Sequence, residues 1–151
     1  MARQTGNLYL IPCTLGDVEP LNVLPISIKK TIESVDHYIV ENEKDARRFI
    51  KRFVPDKKQS FLKIQQTNKF TTPEEIPAML NPCLEGFDMG VISDAGCPGI
   101  ADPGARVVQH AHEKGIKVVP LVGPSSILLA MMASGFLASD FSRALSVLTM
   151  E

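Results

Sequence analysis

Short unbroken apolar runs alternate along the chain with longer stretches of helical spacing. Five runs read as strands: residues 6–13 (GNLYLIPC, apolar from Leu8), 37–40 (HYIV), 61–65, 89–93 (MGVIS) and 117–122 (KVVPLV). Between them lie helical patterns over residues 26–35, 43–53 and 103–114, and from Pro124 to near Gly135. In the second of these, Ala46, Phe49, Ile50 and Phe53 recur at the spacing of one helix face, which puts Arg47, Arg48, Lys51 and Arg52 toward solvent. Thr72-Pro73-Glu74-Glu75 has the form of a helix start, although Pro77 and Pro82 keep any helix there short. Asp102 is a suitable N-cap with Pro103 in the first turn, and Gly115 a suitable stop. Strand, helix, strand, helix with short connections means βαβ units. The predicted fold is α/β, a doubly wound, mostly parallel sheet of about five strands, since the strands are apolar enough to be covered on both faces.

The chain has 151 residues, of which 44% are hydrophobic and 22% charged, as in a globular domain. No apolar run approaches the roughly 18–20 residues that cross a bilayer, and the first residues lack the pattern of a secretory signal. Cys13, Cys83 and Cys97 are an odd, widely spaced set, which suits a reducing cytoplasm without disulfides and gives no structural zinc motif. Net charge is −1, but residues 43–69 hold nine Lys or Arg against three Asp or Glu. Such a stretch is either a solvated helix face or a patch for a polyanion such as RNA.

In parallel sheets, ligands bind outside the carboxyl ends of the strands. Three loops fall at that edge: residues 12–17 (PCTLGD), 93–104 (SDAGCPGIADPG) and 123–126 (GPSS). Their glycines allow close backbone approach, and the helix N-termini at Pro103 and Pro124 offer free N–H groups to a carboxylate or phosphate. The sequence has neither GxxxxGK[ST] nor GxGxxG, which removes the P-loop and the ordinary dinucleotide fingerprint. Asp94 reads as a turn residue or a general base, Asp102 as a cap or a ligand. Cys97 has no recognisable His or Asn partner for nucleophilic catalysis. His110 and His112 point about 200° apart on a helix and cannot share a metal. Met131 and Met132 read as core packing.

The second loop with its continuation, SDAGCPGIADPGARVV and then GIKVVPLVGPSSILLAMMASG, resembles the tetrapyrrole-methylase superfamily. Within it the chain is most similar to the branch of ribosomal RNA small-subunit methyltransferase I, which carries an SDAG-x-P-x-(I/V)-(S/A)-DPG segment and a GI-x-VVP-x-PGP segment. The opening GNLYLIPCTLGD also resembles that branch's start, and the likeness covers about residues 6–141. Thr14-Leu15-Gly16-Asp17 stands where the branch usually has Pro-Ile-Gly-Asn, and Cys97 where it usually has Thr.

The resemblance implies an S-adenosyl-L-methionine-dependent methyltransferase with two α/β domains and the cofactor between them. Carried over position by position, the cofactor contacts are the Leu15-Gly16 turn, Asp94, Gly96, Cys97 and Ile100 in the second loop, and Ser125, Ser126 and Ile127 in the third. No catalytic residue and no metal is assigned. Residues 1–141 are expected to be the cofactor-binding domain of a homodimer that acts on ribosomal RNA. Residues 142–151 read as a divergent tail, with the second domain absent, so that the chain by itself is expected to bind the cofactor weakly or not at all. The alternatives are a small tetrapyrrole-like acceptor, or an inactive truncated domain that docks a partner.

Overall fold

The computed structural model describes residues 4–137 and residue 139. The tail at residues 142–151 lies outside the described residues. The strands are β1 (Asn7–Leu10), β2 (His37–Val40), β3 (Lys63–Gln66), β4 (Met89–Ile92) and β5 (Lys117–Pro120). They form one sheet in the order β3-β2-β4-β1-β5, and every pairing is parallel. The helices are α1 (Ile26–Ser34), α2 (Glu43–Phe53), α3 (Ile76–Met79), α4 (Asn81–Leu84), α5 (Gly104–Glu113) and α6 (Ser126–Ser134). This is the α/β architecture that the alternation of patterns predicts.

Successive strand residues point to opposite faces, and each face has its own core. Tyr38 and Val40 of β2 pack with Ile28 and Ile32 of α1 and with Ala46, Ile50 and Phe53 of α2. Ile39, between those two strand residues, joins Leu8, Met89 and Val91 on the other face, against Ile76, Leu80, Val107 and Ala111 of α3–α5. The central strand β4 is buried throughout, whereas the edge strands β3 and β5 are exposed at both ends. Lys63 on β3, and Lys117 and Pro120 on β5, make those edges poor templates for another strand.

Several boundaries differ from the sequence reading, each for a local reason. Phe61 belongs to a 3-10 turn (Gln59–Phe61) and is exposed; the strand begins at Lys63, where pairing with His37 starts. Thr72-Pro73-Glu74-Glu75 forms a turn, held by Glu75 Oε2 accepting from Thr72 N–H at 2.7 Å, and helix begins only at Ile76. Helices α5 and α6 begin at Gly104 and Ser126, one to two residues later than the prolines suggested. The reading of Met131 and Met132 as core is not met: Met132 is 79% exposed and Met131 only half-buried, and α6 buries none of its nine residues.

The connections explain where a ligand can sit. From β1 the chain passes through α1 to β2, two places to one side and across one face. From β4 it passes through α5 to β5, two places to the other side and across the opposite face. β1 and β4 are neighbours, so their following loops part at the carboxyl edge. Such a switch point opens a crevice without any side chain having to move.

Candidate functional site

A cleft of about 470 Å³ occupies that crevice, within the range of about 300–1,000 Å³ usual for small-ligand sites. Cys13 through Asp17 line it from the β1 loop, Ile92 through Asp94 from the end of β4, and Asp45, Arg48, Phe49 and Arg52 from α2.

The three Gly-rich loops are tied to one another beside this cleft. Cys13 N–H donates to the Gly96 carbonyl at 3.0 Å, and the Cys13 thiol donates to the Ser93 carbonyl at 3.2 Å. The Cys97 thiol donates to the carbonyls of Pro124 at 3.3 Å and Gly123 at 3.5 Å. Gly96 has φ +67°, and a Cβ there would stand 2.9 Å from Leu15 Cδ2 and 3.0 Å from the Pro124 carbonyl oxygen. Only glycine accommodates both the left-handed backbone and the contact with two other loops. The Gly123 Cα packs so closely on the Pro12 ring that any Cβ would collide with it. The loops therefore form one seam. The second of them is folded on itself by Asp102, whose carboxylate accepts from Gly99 N–H at 2.8 Å and from Gly104 N–H at 2.7 Å.

Charge in the cleft is mixed. Asp94 N–H donates to Glu41 Oε2 at 3.0 Å, which brings two carboxylates together. Desolvation raises the Asp94 carboxyl above its ordinary value, and the charges of Glu41 and then Asp45 raise it further. Arg52 faces them from α2 but is held by Asp17 at 2.6 Å and Glu19 at 3.6 Å. Arg48 pairs with Asp45 at 3.3 Å. The site thus combines apolar walls (Leu15, Phe49, Ile92), an acidic end and two arginines. That donor set suits a ligand with a cationic centre and an apolar ring system.

The expected contact residues separate into three groups. Leu15, Gly16 and Asp94 line the cleft. Gly96 and Cys97 make the seam. Ser125 caps α6, its Oγ accepting from Leu128 N–H at 3.3 Å, while Ile100 and Ser126 are exposed and Ile127 is half-buried, none of them in the cleft wall. Cys97, with its thiol raised by burial and spent on two carbonyls, is placed as a structural link. His110 pairs with Glu113 at 2.8 Å on its own helix.

Sequence reasoning missed Asp45, Phe49 and the two arginines as parts of the wall, and Glu41 as the acceptor behind Asp94. The available signal was that all five strands are parallel, so the β2 carboxyl end lies at the same edge as the three loops. The basic stretch is also less free than its count suggests. Arg47 bonds Glu43 at 2.8 Å and the Gln59 carbonyl at 2.9 Å, and Lys57 bonds Asp36 at 2.8 Å.

A parallel α/β domain with a glycine-seamed cleft at its switch point has the form of a small-ligand site. The family is given by comparison: residues 7–151 match the model of the Tetrapyrrole (Corrin/Porphyrin) Methylases, and the chain belongs to that family. It is 30% identical over 133 residues to a protein of Streptococcus pyogenes named ribosomal RNA small subunit methyltransferase I, covering 88% of this chain and 44% of that protein. Proteins of the same name from Vibrio cholerae and Leptospira biflexa are each 28% identical over 135 residues, covering 89% of this chain and 44% and 52% of theirs. The chain thus spans about half the length of the curated relatives it matches.

Proposed function

We propose that this chain is the cofactor-binding part of an S-adenosyl-L-methionine-dependent methyltransferase whose acceptor is ribosomal RNA, working in the cytoplasm. The observation that carries the reading is the seam at Gly96, which fixes three loops into one rigid platform beside the cleft. The cofactor supplies a methyl already activated on a sulfonium, so the protein's task is to orient and to exclude water. Leu15 and Gly16 offer an apolar and close-approach surface in the cleft, and by the family resemblance Ile100, Ser126 and Ile127 would add contacts from the second and third loops. Asp94, with Glu41 and Asp45 beside it, favours a cation over a neutral ligand of the same shape. The names of the relatives support RNA as the acceptor in preference to a tetrapyrrole.

Equilibrium dialysis with radiolabelled S-adenosylmethionine tests the reading. S-adenosylhomocysteine is expected to compete and ATP is not. Equal competition by ATP would remove the cofactor assignment. Ser126→Trp, placed on an exposed residue, is expected to lower binding without loss of fold by circular dichroism.

A further inference from the structure

The β3 strand ends at the same edge of the sheet, on the far side of β2 from the cleft just described. A second cleft, of about 430 Å³, opens there between the loop after β3 and the N-terminus of α5. Its polar wall consists of Thr67, Asn68, Lys69, Thr71, Asp102 and Arg106. Thr67 is 3% exposed, and its Oγ1 has no hydrogen-bond partner. A buried hydroxyl without a partner is rare, because it costs the group's full desolvation. Its backbone is fixed, since Thr67 N–H donates to the Val40 carbonyl at 2.8 Å and so continues the β2–β3 pairing.

The remaining groups leave the cleft rich in donors. Asn68 Oδ1 already accepts from Phe70 N–H at 2.8 Å, and Thr71 Oγ1 from Asn68 N–H at 3.0 Å, while the Asn68 amide hydrogens and the Thr71 hydroxyl hydrogen remain free to donate. The Asp102 carboxylate, the one acid in the wall, is occupied by Gly99 N–H and Gly104 N–H. Lys69 and Arg106 are exposed and make no ion pair among the described residues. The positive end of α5, a helix of ten residues, faces the same space.

We propose that this cleft binds a phosphate group belonging to the sugar–phosphate backbone of the RNA acceptor, with Lys69 and Arg106 supplying charge and Thr67 supplying a buried hydroxyl. The proposal rests on the RNA reading given above. It places the acceptor strand across the carboxyl edge, along loop 93–104, which runs from the first cleft at Asp94 to the second at Asp102.

The test is a titration of the ¹⁵N-labelled 151-residue chain, followed by amide shifts, with inorganic phosphate and separately with a short oligouridylate. Both are expected to shift the amides of Thr67, Asn68, Lys69, Ala105 and Arg106 saturably, the oligouridylate at about tenfold lower concentration because it offers several phosphates. Lys69→Gln with Arg106→Gln is expected to reduce the log–log salt slope of oligouridylate binding by about 0.7, the amount for the one phosphate that is no longer neutralised. Thr67→Val is expected to weaken phosphate binding about threefold while raising Tm in phosphate-free buffer, since it removes an unpartnered buried hydroxyl. A merely structural hydroxyl would move only Tm. Phosphate shifts without oligouridylate shifts would overturn the RNA source, and absence of both would overturn the site. Oligouridylate shifts confined to other residues would overturn this site and leave the RNA reading standing.

Discussion

Asp94 links the chemistry of one side chain to the stability of the fold. A carboxyl whose value is higher in the folded chain than in the unfolded one holds its proton more readily when folded. Its ionised form therefore costs stability at neutral pH, and the cost fades as pH falls into the carboxylate range. Asp94→Asn is expected to raise Tm at neutral pH, by less in acid, and to weaken binding of a cationic ligand; an unchanged Tm at neutral pH would contradict the desolvation account. His37 has the opposite sign. Burial, then the Lys63 charge, lowers it below 6.5, so its contribution is present above that value and lost as pH falls beneath it. The cysteines give a second check. Burial pushes Cys13 up to about 11 and Cys83 up to about 12. At pH 8, iodoacetamide is expected to reach the half-buried Cys97 first, and Cys13 and Cys83 only as fast as the chain opens.

At the scale of elements, helices were legible where one face is buried. α2 shows this most clearly: Asn42 caps it by accepting from Lys44 N–H and Asp45 N–H, acids open it, and of the predicted stripe Ala46, Ile50 and Phe53 are buried, while Phe49 is half-buried and lines the cleft. Ile50, fully buried, is expected to cost about 2–5 kcal/mol when cut to alanine, measured by denaturant unfolding. The edge strand β3 was legible only approximately, because KIQQ alternates weakly and its register is set by β2 rather than by its own pattern. α6 misled in a different way. Its sequence is apolar on all sides, which reads as core, yet Leu128, Leu129 and Met132 are 58%, 51% and 79% exposed. Composition reports what a helix would bury and not whether a partner is present. A surface of this kind favours association. Sedimentation velocity is expected to show concentration-dependent self-association, reduced by Leu128→Glu with Met132→Glu. A single monomeric species across the concentration series would contradict it.

At the scale of the whole molecule, the site follows from topology more than from any one motif. The opposite courses taken after β1 and β4 create the crevice, and the Gly96 seam makes its rim rigid. The three loops could be found in the sequence because Gly, Pro and small polar residues cluster there. The contribution of α2 was within reach of the expected parallel sheet, whereas the cleft beside β3 was not, since it depends on which strands are neighbours. Gly96→Ala tests the seam itself: the left-handed backbone and the Pro124 carbonyl oppose a Cβ, at a cost of about 1–3 kcal/mol.

Whether these loops hold the cofactor is decided by an amide-shift titration of the folded 151-residue chain with S-adenosylhomocysteine. The expected result is saturable, weak binding that shifts Leu15, Gly16, Asp94, Gly96, Cys97 and Ser126 together and disappears in Ser126→Trp. Saturable shifts confined to other parts of the chain, with those positions still, would contradict the cofactor reading.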